Sequence, residues 1–97
     1  MEYEINITED AWQDLQYFKA YEQGIIVDAI EKYLSRDAEI ESDHRKKLRP
    51  NQLAPWELKT GKYRAFYEIE EMQMAKIVAI GHKVHNDLFI RGKKVQL

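Results

Sequence analysis

Residues 56–80 constrain the fold most. Trp56 and Leu58 alternate with Glu57 and Lys59. Tyr63, Ala65, Tyr67 and Ile69 alternate with Arg64, Phe66 and Glu68. Ala75, Ile77 and Ala79 alternate with Met74, Lys76, Val78 and Ile80. Successive side chains of an extended chain point to opposite faces, so each run predicts a strand with one face buried. Thr60-Gly61-Lys62 and Glu70-Glu71-Met72-Gln73 suit hairpin connections. Three strands so joined make an antiparallel meander, and its apolar face needs a covering layer.

The N-terminal half supplies that layer. Met1 to Ile7 alternates strictly and predicts a further strand, joining the same sheet at an edge. Thr8 is placed to cap a helix, with Glu9 and Asp10 in the first turn, where the helix dipole favours negative charge. Ile7 and Trp12 have the spacing of a hydrophobic staple. Trp12, Leu15 and Phe18 then carry a helix to about Ala20, all three directed into the core. A second helix places Ile25, Ile26, Ala29, Ile30, Tyr33 and Leu34 on one face, and Gly24 marks the break between the two helices. The expected fold is α+β in a single domain over residues 1–97. An N-terminal strand precedes a two-helix hairpin packed on a twisted antiparallel sheet of about four strands.

The remaining segments are less patterned. Ser35 to Asp43 reads as the end of the second helix and a loop. His44 to Pro50 is a basic cluster, and Pro50 and Pro55 bracket Asn51 to Ala54, so this stretch predicts connecting chain. Asn86 to Ile90 fits either a short strand or one helical turn. Arg91 to Leu97 is a basic tail expected to be mobile at its tip.

Charge is divided along the chain. Residues 1–43 hold twelve Asp and Glu against three Lys and Arg, whereas residues 44–97 hold five against twelve. The C-terminal half therefore presents a basic surface suited to an anionic partner, or simply a solvated one. With no cysteine, disulfides and thiolate metal sites are excluded. No apolar run approaches the ~20 residues of a membrane span, and the acidic, alternating N-terminus is unlike a signal peptide. The expectation is a soluble cytoplasmic protein without a cofactor or a bound metal.

Several catalytic motifs are missing: no Gly-rich phosphate loop, no Gly-x-Ser-x-Gly, no His-Glu-x-x-His and no evident carboxylate pair. What remains is a cationic strand face. Arg64 lies mid-strand beside Phe66, Lys59 lies on the neighbouring strand, and His82 and Lys83 end the next one. Arginine offers a planar fork for phosphate, and histidine exchanges protons near neutral pH. Together they suit cleavage of RNA by its own 2′-hydroxyl. Arg64 has a second reading, a structural ion pair with Glu57 or Glu68.

Lys59-Thr60-Gly61-Lys62-Tyr63-Arg64-Ala65-Phe66-Tyr67, followed by a strand ending Ile80-Gly81-His82-Lys83, resembles the RelE/ParE superfamily of toxins from bacterial type II toxin–antitoxin modules. The opening strand, the helix pair and Lys47-Leu48-Arg49 extend the resemblance over nearly the whole chain. It implies a small α+β toxin. RelE-like members cleave mRNA in the ribosomal A site; ParE-like members poison DNA gyrase; a degenerate member acts only as an antitoxin-binding co-repressor. The RelE-like reading is favoured here, with a cognate antitoxin as partner in a hetero-oligomer. Arg64 falls on the arginine that contacts the scissile phosphate. Lys83 stands where the ribonucleases carry a second arginine, keeping the charge without the fork. His82 or His85 would exchange protons. Phe89 stands where RelE has a tyrosine and would stack on a base. Lys46, Lys47, Arg49, Lys59 and Lys62 would bind RNA. The RelE lysines that precede the motif fall near Pro55 and Glu57.

Overall fold

The meander forms as its alternation predicts. In the computed structural model, which describes residues 1–97, the central strands are β4 (Tyr63–Glu70) and β5 (Met74–Val84), preceded by β3 (Trp56–Thr60). Lys59 pairs with Arg64 across the first hairpin, and Arg64 pairs with Gly81 across the second. Gly61 takes a φ of +57° in the first turn, a conformation that costs glycine little.

The sheet is larger than the sequence pattern suggests. Seven strands take part. The basic cluster expected to be connecting chain instead forms a short strand, β2 (Arg45–Lys47), paired with β3. Its lysines belong on an edge, where charge discourages further strand pairing. The segment 86–90 resolves as a strand, β6 (Asp87–Ile90), and the tail expected to be mobile continues as β7 (Lys93–Val95). Arg91 and Gly92, both at positive φ, make the tight turn between them. The N-terminal strand, β1 (Glu4–Ile7), lies at an edge as expected and runs parallel to β5.

One irregularity decides which side chains face which way. Phe66 pairs with Ala79 but Tyr67 pairs with Ile77, so Val78 is an extra residue in β5. A bulge of this kind shifts the alternation of the strand that carries it. Before it, Ala75 and Ile77 face the helices; after it, Ile80 does, while Ala79 joins Phe66 on the opposite face.

The two helices cover one face. Helix α1 (Glu9–Gln16) is capped by Thr8, whose Oγ1 accepts from the Ala11 amide at 3.2 Å and donates to the Ile77 carbonyl at 2.9 Å. Ala11, Asp14 and Leu15 form its buried stripe, which leaves Trp12 out of the core at 43% exposure. Helix α2 (Ala20–Leu34) buries Ile26, Ala29, Ile30 and Leu34, and Ile25 is exposed. The break between the helices falls at Tyr17–Lys19, not at Gly24, which lies inside α2 with open space around it. Between β1 and β6 a short length of the β5 edge has no partner strand, and α1 fills it: the Ile80 amide donates to Asp14 Oδ2 at 2.9 Å. The other face of the sheet carries a smaller core of Ala54, Phe66, Ala79 and Leu88. The 48–55 loop folds over it, held by Asn51, whose Oδ1 accepts from the amides of Leu53 and Ala54.

Candidate functional site

Beside that smaller core, on the face away from the helices, lies a groove of about 380 Å³ with Arg64 in its wall. Lys59, Lys46 and Lys83 line it with Arg64, together with Glu57 and the loop residues Glu41, Ser42, Asp43 and His44. The positions follow from strand register. Lys59 is directly opposite Arg64, and Lys46 is directly opposite Glu57 on the neighbouring rung. Lys83 reaches this face because of the bulge at Val78. Unshifted alternation would have sent it to the helices and turned His82 towards Arg64.

Arg64 is largely enclosed, at 9% exposure. Its Nη1 donates to the carbonyls of Gly61 (2.8 Å) and Tyr63 (3.0 Å), which clamps the β3–β4 turn. Its Nε is buried and makes no hydrogen bond. Glu57 Oε1 stands 3.8 Å from that Nε. The ion pair foreseen for Arg64 is thus with Glu57; Glu68 pairs with Lys76 instead, at 3.7 Å. At 3.8 Å the Glu57 contact is Coulombic and beyond hydrogen-bond length.

Other residues expected at the site lie elsewhere. His82 pairs with Tyr63 and Phe89 on the helix-facing side. Its ring packs edge-on against Phe18 at 5.6 Å and stacks on Phe89 at 5.9 Å. Burial, and then the Lys62 charge, push its pKa below the usual histidine value, with Glu22 opposing, so the ring is neutral at pH 7. His82 and Phe89 therefore do not converge with Arg64. His85 is exposed in the β5–β6 turn, at a φ of +57°. Lys62 turns towards α2, its Nζ 3.8 Å from Glu22 and 5.5 Å from the Tyr63 ring centre. Lys47 lies over the Trp56 ring at 5.7 Å. With Lys46, Lys47 and Arg49 line a second groove of about 500 Å³ that shares Lys46 with the first.

Two groove residues escaped the sequence reading as candidates for acid–base work. His44 places Nδ1 3.0 Å from the Lys59 carbonyl oxygen and stacks on Tyr33 with ring centres 4.0 Å apart. Glu57 is 7% exposed. The signal for Glu57 was present: counting pairs back from the Gly61 turn puts it on the same strand face as Lys59 and Arg64. No group of three His, Cys, Asp or Glu side chains is arranged to hold a metal ion. No helix is long and apolar enough to cross a membrane.

Residues 5–86 match the family described as ParE toxin of type II toxin–antitoxin systems (parDE). No curated protein matches the sequence. Among solved structures, the chain is similar to a chain of the RelBE2 toxin–antitoxin complex from Mycobacterium tuberculosis. The TM-score is 0.73 and the identity 23%, covering 86% of this chain and 93% of that one. At this identity the likeness is one of fold.

Proposed function

The chain belongs to the ParE toxin family of type II toxin–antitoxin systems, and on that premise we propose that it acts as a RelE-like, ribosome-dependent mRNA endoribonuclease that inhibits translation. The observation that supports this reading is the groove in which Arg64 stands with Lys46, Lys59 and Lys83. Attack of a 2′-hydroxyl on the adjacent phosphorus builds negative charge on the phosphate oxygens. Fixed cations at the wall of a partly enclosed groove stabilise that charge more than water does. Arg64 and Lys83 contact the reacting phosphate in this scheme. Lys59, directly opposite Arg64, reaches the same phosphate, and Lys46, Lys47 and Arg49 hold the neighbouring backbone by charge. His85 is the exposed one of the two histidines named by the resemblance and the one able to reach RNA. The chain works in the cytoplasm, and an antitoxin with an acidic segment covers the basic face as part of a hetero-oligomer; the similar fold belongs to a toxin–antitoxin complex.

Induced expression of wild type and Arg64→Ala, with mapping of transcript ends, tests the proposal. Wild type arrests growth and produces new mRNA ends; the variant does neither while still accumulating as folded protein. Unchanged arrest and cleavage in the variant would end this reading. A second reading is a ParE-like gyrase inhibitor, or a co-repressor subunit without catalysis. It is favoured by the engagement of Arg64 Nη1 with the Gly61 and Tyr63 carbonyls, which turns that nitrogen towards the backbone. Cleaved DNA–gyrase complexes with intact mRNA would identify the gyrase branch; absence of toxicity would identify the co-repressor.

A further inference from the structure

Glu57 is oddly placed for a structural partner. The residue is 7% exposed and sits on β3 at the wall of the Arg64 groove. A structural arginine–carboxylate pair frequently meets through two parallel hydrogen bonds. Here the single close approach, Nε to Oε1, is 3.8 Å. Arg64 Nη1 is committed to two backbone carbonyls, and the Nε is buried without a hydrogen bond. Neither Glu57 oxygen is among the buried polar atoms left without a partner, so the carboxylate keeps an opening to the groove. On its own face Glu57 has Lys46 across one strand pair and Phe66 across the other. It is therefore a carboxylate held by strand geometry next to the arginine that the endoribonuclease reading places on the phosphate, with acceptor capacity to spare.

We propose that Glu57 is the general base of the cleavage reaction. The inference rests on the endoribonuclease reading and assigns a residue within that same groove. A phosphate contacting Arg64 brings the neighbouring ribose within reach of the carboxylate. Glu57 takes the proton of the 2′-hydroxyl as that oxygen bonds to phosphorus. The phosphorus–O5′ bond breaks, and the departing 5′-oxygen takes a proton from the Lys59 ammonium, which stands opposite Arg64. The products are a 2′,3′-cyclic phosphate and a 5′-hydroxyl end. Solvent then takes the proton from Glu57 and gives one to Lys59, which restores both side chains. No oxidant, metal or cofactor enters the balance.

Single-turnover cleavage of a defined mRNA on programmed ribosomes tests this, using the purified chain, Glu57→Gln, Glu57→Asp and Arg64→Ala. Glu57→Gln is expected to slow cleavage by roughly 10²–10⁴-fold, the usual contribution of a positioned base. It should leave binding to the programmed ribosome within about threefold of wild type and remove the acid limb of the pH–rate profile. Glu57→Asp should recover part of the rate. A merely structural Glu57 would alter melting without reshaping the pH profile. Should Glu57→Gln cut as fast as wild type, or faster because a competing carboxylate has left Arg64, with Arg64→Ala inactive, the base assignment is wrong and the endoribonuclease reading stands. Intact mRNA with wild type overturns both. If Glu57→Gln does not fold, the wild-type profile decides: a rate without an acid limb in the carboxylate range also overturns the assignment.

Discussion

Replacing Arg91 should cost this small domain a substantial part of its stability. Asp14 is buried at 4% exposure on α1 and accepts from Arg91 Nε at 2.6 Å and from the Ile80 amide at 2.9 Å. Arg91 Nη2 also donates to the Asp10 carbonyl at 3.0 Å. Arg91→Ala removes the charged donor and leaves an enclosed carboxylate with one amide. A hydrogen bond to a charged group contributes about 1.5–3 kcal/mol. Because Arg91 is partly exposed, the lower half of that range applies, about 2 kcal/mol. For a domain of this size that corresponds to a fall in Tm of roughly 8–16 °C. Backbone conformation supplies an internal control. Arg91 sits at a φ of +50°, where an alanine side chain is strained and glycine is not. Arg91→Gly should therefore be the milder change, by about 1 kcal/mol. Urea unfolding of both variants, with Asp14→Asn and the double mutant completing a cycle, gives the coupling directly, expected above about 1 kcal/mol. If Arg91→Ala unfolds within about 0.5 kcal/mol of wild type, or if the cycle shows no coupling, the clamp between α1 and the β6–β7 hairpin is not what holds that hairpin.

Two further outcomes follow from the same packing. His82 has a folded-state pKa below its unfolded value, so the unfolded chain binds more protons in the window beneath the ordinary histidine pKa; the contribution of the neutral ring is complete above that value and is lost as pH falls through the folded one. His82→Phe should flatten this acid limb of the stability profile, and a limb of unchanged slope in urea titrations across that window would exclude His82 as its source. Gly81→Ala would drive a methyl group against the Phe89 carbonyl oxygen and to 2.9 Å from Ile90 Cγ1, and should destabilise the chain by about 3 kcal/mol in thermal melts, whereas Gly24→Ala, in open space on α2, should stabilise it slightly.

The α+β architecture was legible because Trp56 to Ile80 alternates with a period of two and the helices carry apolar stripes. The short strands were not: β2, β6 and β7 have three or four residues each. Lys-rich or turn-flanked segments of that length gain strand character only from the neighbour they pair with. The candidate site was half legible for a related reason. Arg64 and Lys59 occupy positions that hairpin register alone supplies, whereas Lys46 reaches the same face through β2, a strand the sequence pattern does not announce. Beyond Val78 the alternation shifts by one residue, and no side chain near Val78 announces it. That single residue exchanges His82 for Lys83 on the Arg64 face and sends Phe89 to the helix side with His82. Trp12 misled for a simpler reason: α1 has only eight residues, and its buried stripe runs through Ala11, Asp14 and Leu15. A buried aspartate is a poor marker of a core face until its partners, the Ile80 amide and Arg91, are known.

The most direct measurement is the chemistry of the ends left on a defined mRNA incubated with the purified chain and translating ribosomes. The expected result is a cut within the A-site codon, a 2′,3′-cyclic phosphate on the upstream fragment, a 5′-hydroxyl on the downstream one, and loss of the cut with Arg64→Ala. Full-length mRNA under the same conditions, with cleaved DNA accumulating on gyrase in a parallel reaction, would contradict it and move the chain to the gyrase-directed branch of its family.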